Sequence, residues 1–156
     1  LVESARIARG DVKDISAVKA DDIDALIFPG GFGAAKNLCD FAVKGEDCEV
    51  HPDVARLVKE FVAKKKPQAV CCIAPVMMAR IYKDEAAQPT LTIGNDKDTS
   101  SKMEAMGTKH QECSVTDFVI DKDNKIVSTP AYMLGKNISD VAAGIEKTVN
   151  ELVKMI

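Results

Sequence analysis

The sequence predicts an α/β fold with a mainly parallel sheet and helices on both faces. Three observations predict it. Short apolar runs bounded by turn residues, such as Asp24-Ala25-Leu26-Ile27-Phe28 and Gln68-Ala69-Val70-Cys71, alternate with segments of helical periodicity. The first run stops at Pro29-Gly30-Gly31 and the second at Cys72-Ile73-Ala74-Pro75, so each strand ends in a sharp turn. Only one stretch, around Asp121-Lys122-Asp123-Asn124, has the turn chemistry of a hairpin. In sheets of this class ligands gather at the carboxyl ends of the strands, and both turns fall at such ends.

The elements follow in order. Residues 1–9 read as a helix end that Gly10 closes, and Asp11-Val12-Lys13 begins a connector. Residues 24–28 are a continuous apolar run, the pattern of a strand buried on both faces. After it, Gly31, Gly33 and the small Ala34-Ala35 permit close backbone approach. Val54, Leu57, Val58, Phe61 and Val62 fall on one face of a helix expected over 52–65. Pro52 suits its first turn, Asp53 its positive end, and Lys64-Lys65-Lys66 a solvated C-terminal end stopped by Pro67. A strand over 68–71 passes through the Cys72 turn into a helix reaching about Tyr82. Residues 90–94 predict another strand. Thr99 or Ser100 would cap a short helix carrying Met103 and Met106, closed by Gly107. Residues 110–113 and 115–120 are strand candidates, and 125–129 the returning strand of the hairpin. The final helix starts near Ile138, with Val141, Ala142, Ile145, Val149, Leu152, Val153 and Ile156 as its apolar positions.

The 156 residues are the size of one domain, with 46% apolar and 29% charged residues, an ordinary globular composition. The net charge of −3 and the lack of a basic stripe with aromatics argue against nucleic acid as a partner. No apolar run approaches membrane-spanning length, so membrane insertion is not expected. The five cysteines, Cys39, Cys48, Cys71, Cys72 and Cys113, make no C-x-x-C pair, and two histidines complete the soft donors. Neither a zinc site nor a disulfide scaffold is expected from that set, and an odd cysteine count fits a reducing compartment.

Cys72 carries the chemistry. It sits at a strand-to-helix junction, where backbone N–H groups and the helix dipole favour a thiolate, the form that attacks carbonyls. Cys71 points to the other side of the strand and is read as packing. His51, before Pro52, reads as a neighbour of a helix cap, and His110 as part of a polar edge strand. Cys39, Cys48 and Cys113 read as packing or surface thiols. Asp117, Asp121 and Asp123 read as hairpin residues, because an EF-hand's glycine and terminal glutamate are missing. Met77, Met78, Met103 and Met106 read as core fillers. Lys36-Asn37 reads either as a substrate contact or as a solvent-facing helix start. The Gly-x-Gly of the glycine turn lacks the full dinucleotide fingerprint and its acidic partner, so it is weak evidence for dinucleotide binding.

Two motifs together, Pro29-Gly30-Gly31-Phe32-Gly33-Ala34-Ala35-Lys36-Asn37-Leu38 and Cys72-Ile73-Ala74-Pro75, resemble the PfpI/ThiJ branch of the class I glutamine-amidotransferase-like superfamily. Together with Leu91-Thr92-Ile93-Gly94, Asp123-Asn124-Lys125-Ile126-Val127 and Thr129-Pro130-Ala131-Tyr132-Met133-Leu134, they most resemble its glyoxalase ElbB group, over essentially the whole chain. The resemblance implies a single flavodoxin-like, doubly wound domain over 1–156 with Cys72 in a nucleophile elbow. It implies an oxyanion site from the N–H groups of Gly31 and Ile73, with Gly30 in the same turn, and no metal or cofactor. It implies cofactor-independent conversion of glyoxal or related 2-oxoaldehydes to hydroxy acids, with protein deglycation as a second reading of the same chemistry. A small aldehyde substrate, a homodimer, and a cytoplasmic or mitochondrial location complete the expectation.

The chain departs from the family pattern in two places. The family fold begins with strands upstream of Leu1, one bearing a glutamate that faces the cysteine, so the domain is expected to be N-terminally incomplete. Many superfamily members also carry a histidine where this chain has Asn95, which disfavours amidotransferase or protease chemistry. The competing expectation is a non-catalytic member of the fold that senses oxidants through Cys72 or serves as a binding subunit.

Overall fold

The computed structural model describes residues 2–156; Leu1, the first residue of the expected opening helix, lies outside the described residues. In chain order the elements are α1 (Val2–Ala8), β1 (Leu26–Phe28), α2 (Phe41–Lys44), α3 (Pro52–Ala63), β2 (Gln68–Cys71), α4 (Pro75–Tyr82), β3 (Thr90–Leu91), α5 (Lys97–Ala105), β4 (Lys109–His110), β5 (Val119–Asp121), β6 (Ile126–Thr129) and α6 (Ile138–Lys154). A single π-helical turn spans Ala34–Leu38, and 3-10 turns include Gly45–Asp47 and Ala131–Met133.

The main sheet has the order β1-β2-β6-β5. β1 and β6 both pair with β2 in parallel, and only the β5–β6 hairpin is antiparallel. The expected α/β architecture is therefore present. Side chains alternate across β2, and each set meets a different helix layer. Val70, with Phe28 and Ile126, joins the large core formed with Val54 and Val58 of α3 and the apolar side chains of α4. Ala69, with Val127, packs on the opposite side against Leu152 of α6. All four methionines expected in the core are there, Met77, Met78 and Met103 at 0% exposure and Met106 at 1%.

The expected helix over 52–65 forms over Pro52–Ala63, its sequence face buried at Val54, Leu57, Val58 and Phe61. His51 is its N-cap, and the His51 Nδ1 accepts the Asp53 N–H at 3.3 Å. At the other end Lys65 takes φ 52°, the Lys65 N–H donates to the Val62 carbonyl and the Lys66 N–H to the Phe61 carbonyl. That is a Schellman closure with lysine in the place glycine usually holds. The lysine run is more than a solvated end. Lys66 Nζ donates to the Ala20 and Ile23 carbonyls at 2.7 and 2.8 Å, and Lys64 pairs with Asp21 at 2.8 Å. The run ties the segment before β1 to α3.

Several expectations need correction. The strand expected over 90–94 stops at Leu91, because the Thr92 N–H turns to the Ser128 hydroxyl at 3.0 Å and the Gly94 N–H to the Thr92 hydroxyl. Its partner β4 is only Lys109–His110, paired in parallel as a separate two-stranded sheet, so the strands expected over 110–113 and 115–120 are displaced or shortened. The Asp121 carboxylate links this sheet to the main one by accepting the Thr90 N–H at 2.7 Å. Helix α5 begins earlier than a Thr99 or Ser100 cap would allow: Asp96 is its N-cap residue and the Thr99 hydroxyl donates to the Asp96 carboxylate. Gly107 closes it as expected, at φ 90°. At α1 the left-handed residue is Arg9 rather than Gly10.

Candidate functional site

Three strand ends converge, and each turns through a left-handed residue. β1 leaves through Gly30 (φ 91°) and Gly31 (φ 79°), β2 through Cys72 (φ 60°), and β6 through Ala131 (φ 43°) after Pro130. Two of these are non-glycine residues in a region that costs roughly 1–3 kcal/mol, a strain that clusters at functional sites. Cys72 is held there by its own N–H, which donates to the Thr129 carbonyl at 3.0 Å, and by the Ala74 N–H, which donates to the Cys71 carbonyl at 3.0 Å. Helix α4 starts three residues later with Pro75 in its first turn. The junction therefore turns the chain from strand to helix within Cys72-Ile73-Ala74 and leaves the Cys72 side chain partly exposed.

Gly30 and Gly31 divide the work of the glycine turn. A Cβ on Gly30 would stand 2.5 Å from the Cys71 carbonyl oxygen and 2.8 Å from the Cys72 Cβ, so the β1 turn lies directly against the cysteine junction. A Cβ on Gly31 would meet nothing within 4 Å, so this peptide faces open space. Among the described residues, neither the Gly31 N–H nor the Ile73 N–H has a hydrogen-bond acceptor. Gly31 instead accepts the Ala34 N–H at 2.9 Å, which starts the wide turn through Leu38. Among the described residues Lys36 has no ion-pair partner; its ammonium lies 5.9 Å from the centre of the exposed Phe32 ring.

The remaining candidates separate from this junction. Cys71 is buried, and burial together with the neighbouring Cys72 pushes its thiol up to about 11, so it packs rather than reacts. His110 Nε2 accepts the Ile93 N–H at 3.4 Å, and burial holds its imidazole below the usual histidine range. Burial likewise pushes the Cys113 thiol up. Asp121 accepts the Asn124 backbone and side-chain N–H groups at 2.9 Å and closes the hairpin, as its turn setting implied. Among the described residues no cluster of three or more His, Cys, Asp or Glu is placed to hold a metal ion, and no helix is long and apolar enough to cross a membrane.

Sequence reasoning missed two features. Ala131 and the Thr129 carbonyl complete the junction from the β6 side, and nothing in an alanine after proline signals a left-handed turn. Cys39 and Cys48, separate packing or surface thiols in the sequence, share one core cluster. Nine residues apart in sequence, they meet only because the chain doubles back through α2.

No family model matches the chain. The rat ES1 protein homolog, mitochondrial, is 41% identical over 164 residues, which cover 99% of this chain and 60% of that protein. The human glutamine amidotransferase-like class 1 domain-containing protein 3, mitochondrial, is 40% identical over the same shares. The chain thus spans about 60% of the length of these relatives. Among solved structures, an isoprenoid biosynthesis protein with an amidotransferase-like domain from Ehrlichia chaffeensis superposes with a TM-score of 0.88 at 35% identity, covering all of this chain and 70% of that one.

Proposed function

The chain belongs to the amidotransferase-like family that includes the ES1 proteins and the Ehrlichia isoprenoid biosynthesis protein, and from that membership we propose that it carries the cysteine half of a glyoxalase-type active site. The observation that supports this most is the left-handed Cys72 at the β2–α4 junction, with two acceptor-free amides, Gly31 and Ile73, on the flanking turns. In this reading the Cys72 thiolate adds to the aldehyde carbon of a 2-oxoaldehyde. The carbonyl electron pair moves to oxygen, and the Gly31 and Ile73 N–H groups receive that oxyanion. A carboxylate then moves the proton of the former aldehyde carbon toward the neighbouring ketone carbon, which becomes the hydroxyl-bearing carbon of a thioester. Water cleaves the thioester, releasing the 2-hydroxy acid and regenerating the thiol. The balance is one dicarbonyl plus one water to one hydroxy acid, with no external oxidant or reductant.

The family resemblance assigns the proton transfer to a glutamate that faces the cysteine. The same thiol chemistry acting on a dicarbonyl-modified amine would be deglycation. A homodimer and a mitochondrial location form part of the proposal; both mammalian relatives are named as mitochondrial, which favours that compartment over the cytosol.

The test is consumption of glyoxal and methylglyoxal by the protein beside a Cys72→Ser variant with an unchanged circular dichroism spectrum. Hydroxy-acid formation that the substitution abolishes supports the reading. No turnover by the folded full-length protein, with Cys72 still rapidly alkylated at neutral pH, overturns it in favour of a redox or binding role.

A further inference from the structure

Cys39 and Cys48 flank an excursion that leaves the main chain path and returns to it. Cys39 forms an antiparallel bridge with Val50, the Asp40 N–H donates to the Glu49 carbonyl at 3.1 Å, and the His51 N–H donates to the Leu38 carbonyl at 2.8 Å. Between these anchors α2 and the Gly45–Asp47 turn fold back, and the Cys48 N–H donates to the Gly45 carbonyl at 3.1 Å. Arg80 Nε fixes the return by donating to the Cys48 carbonyl at 2.8 Å. The excursion thus fixes both cysteine backbones, and because Cys39 pairs with Val50, two residues beyond Cys48, it sets both side chains on one face of the ladder, inside one core cluster. Cys72 packs in a different cluster, with Cys71, Ala131 and Val141.

The two thiols differ in access. Cys48 is fully buried. Cys39, at 4% exposure, contributes to the wall of an open cavity of about 250 Å³ that Lys36, Asn37, His51 and Pro52 also line. They differ in acidity as well. The neighbouring Cys48 thiol holds the Cys39 thiol below the ordinary thiol range, against the opposing effects of burial and Asp40. The Cys39 thiol beside it and burial push Cys48 up. One thiol is therefore suited to attack from the cavity and the other to resolve from within.

We propose that Cys39 and Cys48 are a disulfide-forming pair, separate from Cys72, that is oxidised by hydroperoxides entering through the cavity beside Lys36 and His51. The Cys39 thiolate attacks one oxygen of the hydroperoxide. An S–O bond forms, the O–O bond breaks, and the leaving alkoxide or hydroxide takes up a proton to depart as alcohol or water. Cys48 sulfur then attacks the sulfenic sulfur of Cys39. The S–S bond forms, the S–O bond breaks, and the departing hydroxide leaves as water with the Cys48 proton. Two thiols and one hydroperoxide give one disulfide, one alcohol (or water) and one water. Oxidation also removes the Cys39 S–H that donates to the Ala34 carbonyl at 3.3 Å, and the Ala34 N–H in turn donates to Gly31, so the redox state is read one residue contact from the glycine turn.

The experiment exposes the folded protein briefly to hydrogen peroxide, blocks free thiols, and digests with trypsin without reduction. Lys44 lies between the two cysteines, so the peptides 37–44 and 45–56 separate unless a disulfide joins them. The expected result is the joined pair, released by reduction, together with trapping of a Cys39 sulfenic acid by dimedone in a Cys48→Ser variant. Recovery of Cys39 and Cys48 as free thiols after the same exposure, or their linkage to any other cysteine, overturns the proposal. So does the absence of dimedone capture at Cys39 in a Cys48→Ser protein whose circular dichroism is native.

Discussion

A methyl group on residue 30 would stand 2.5 Å from the Cys71 carbonyl oxygen, on a backbone at φ 91° that alanine resists. Gly30→Ala is expected to destabilise the protein by about 3 kcal/mol or more, the sum of left-handed strain and overpacking against a carbonyl that cannot yield. Gly31→Ala shares the strain but meets open space, so it should cost only about 1 kcal/mol of stability. If the Gly31 amide receives the oxyanion, that variant loses turnover out of proportion to its stability, chiefly in kcat. Denaturation midpoints and kinetics of the two variants check both statements. The strand-to-helix junction at Cys72 was legible because strand, turn and helix signals meet at it. The contributions of Ala131 and the Cys39–Cys48 pair were not, since each depends on a partner brought close by tertiary folding. Small residues and lone cysteines carry no periodic signal of such a contact.

Helix α6 shows the same limit at the scale of an element. Its start and length were legible, and Asn137 caps it by accepting the Asp140 N–H at 2.9 Å. The face it buries was only half legible. Val141 and Leu152 pack inward with Gly144 and Thr148, whereas Val149, Val153 and Ile156, on the adjoining stripe, remain exposed. The helix turns its smallest residue to the sheet because Gly144 lies under the chain: a Cβ there would come 2.2 Å from the Val115 carbonyl oxygen and 3.1 Å from the Thr129 hydroxyl. Replacing a mid-helix glycine by alanine ordinarily gains about 1 kcal/mol of helix propensity. Here the collision with backbone should outweigh it, so Gly144→Ala is expected to lower the thermal midpoint, by a net cost of about 1 kcal/mol or more. An unchanged or higher midpoint would mean that the 115 segment shifts freely away from α6.

For the whole molecule, alternation of strand and helix was enough to give the α/β class, but not the order of the strands. The sequence carries no mark of β6 crossing to lie beside β2, nor of β3 and β4 forming a separate pair. Burial of ionisable groups gives the molecule a pH dependence that can be signed. Burial raises the Cys71 thiol from 9.0 to about 11 and pushes the Tyr82 phenol up from its ordinary value. Both stay neutral in the fold at pH values where the unfolded chain ionises them. Their contribution to stability is therefore present below the unfolded values and lost as pH rises through the folded ones. The urea midpoint is expected to fall from about pH 9 to about pH 11, and a Cys71→Ala variant should show a shallower fall.

A reactive Cys72 at the β2–α4 junction is tested by the rate of iodoacetamide labelling at each of the five cysteines in the folded protein, with and without methylglyoxal. Cys72 is expected to label well before Cys71 and Cys48, and methylglyoxal to slow Cys72 while leaving the partly exposed Cys113 unchanged. Labelling of Cys72 no faster than Cys71, or equally fast with the dicarbonyl present, would contradict it.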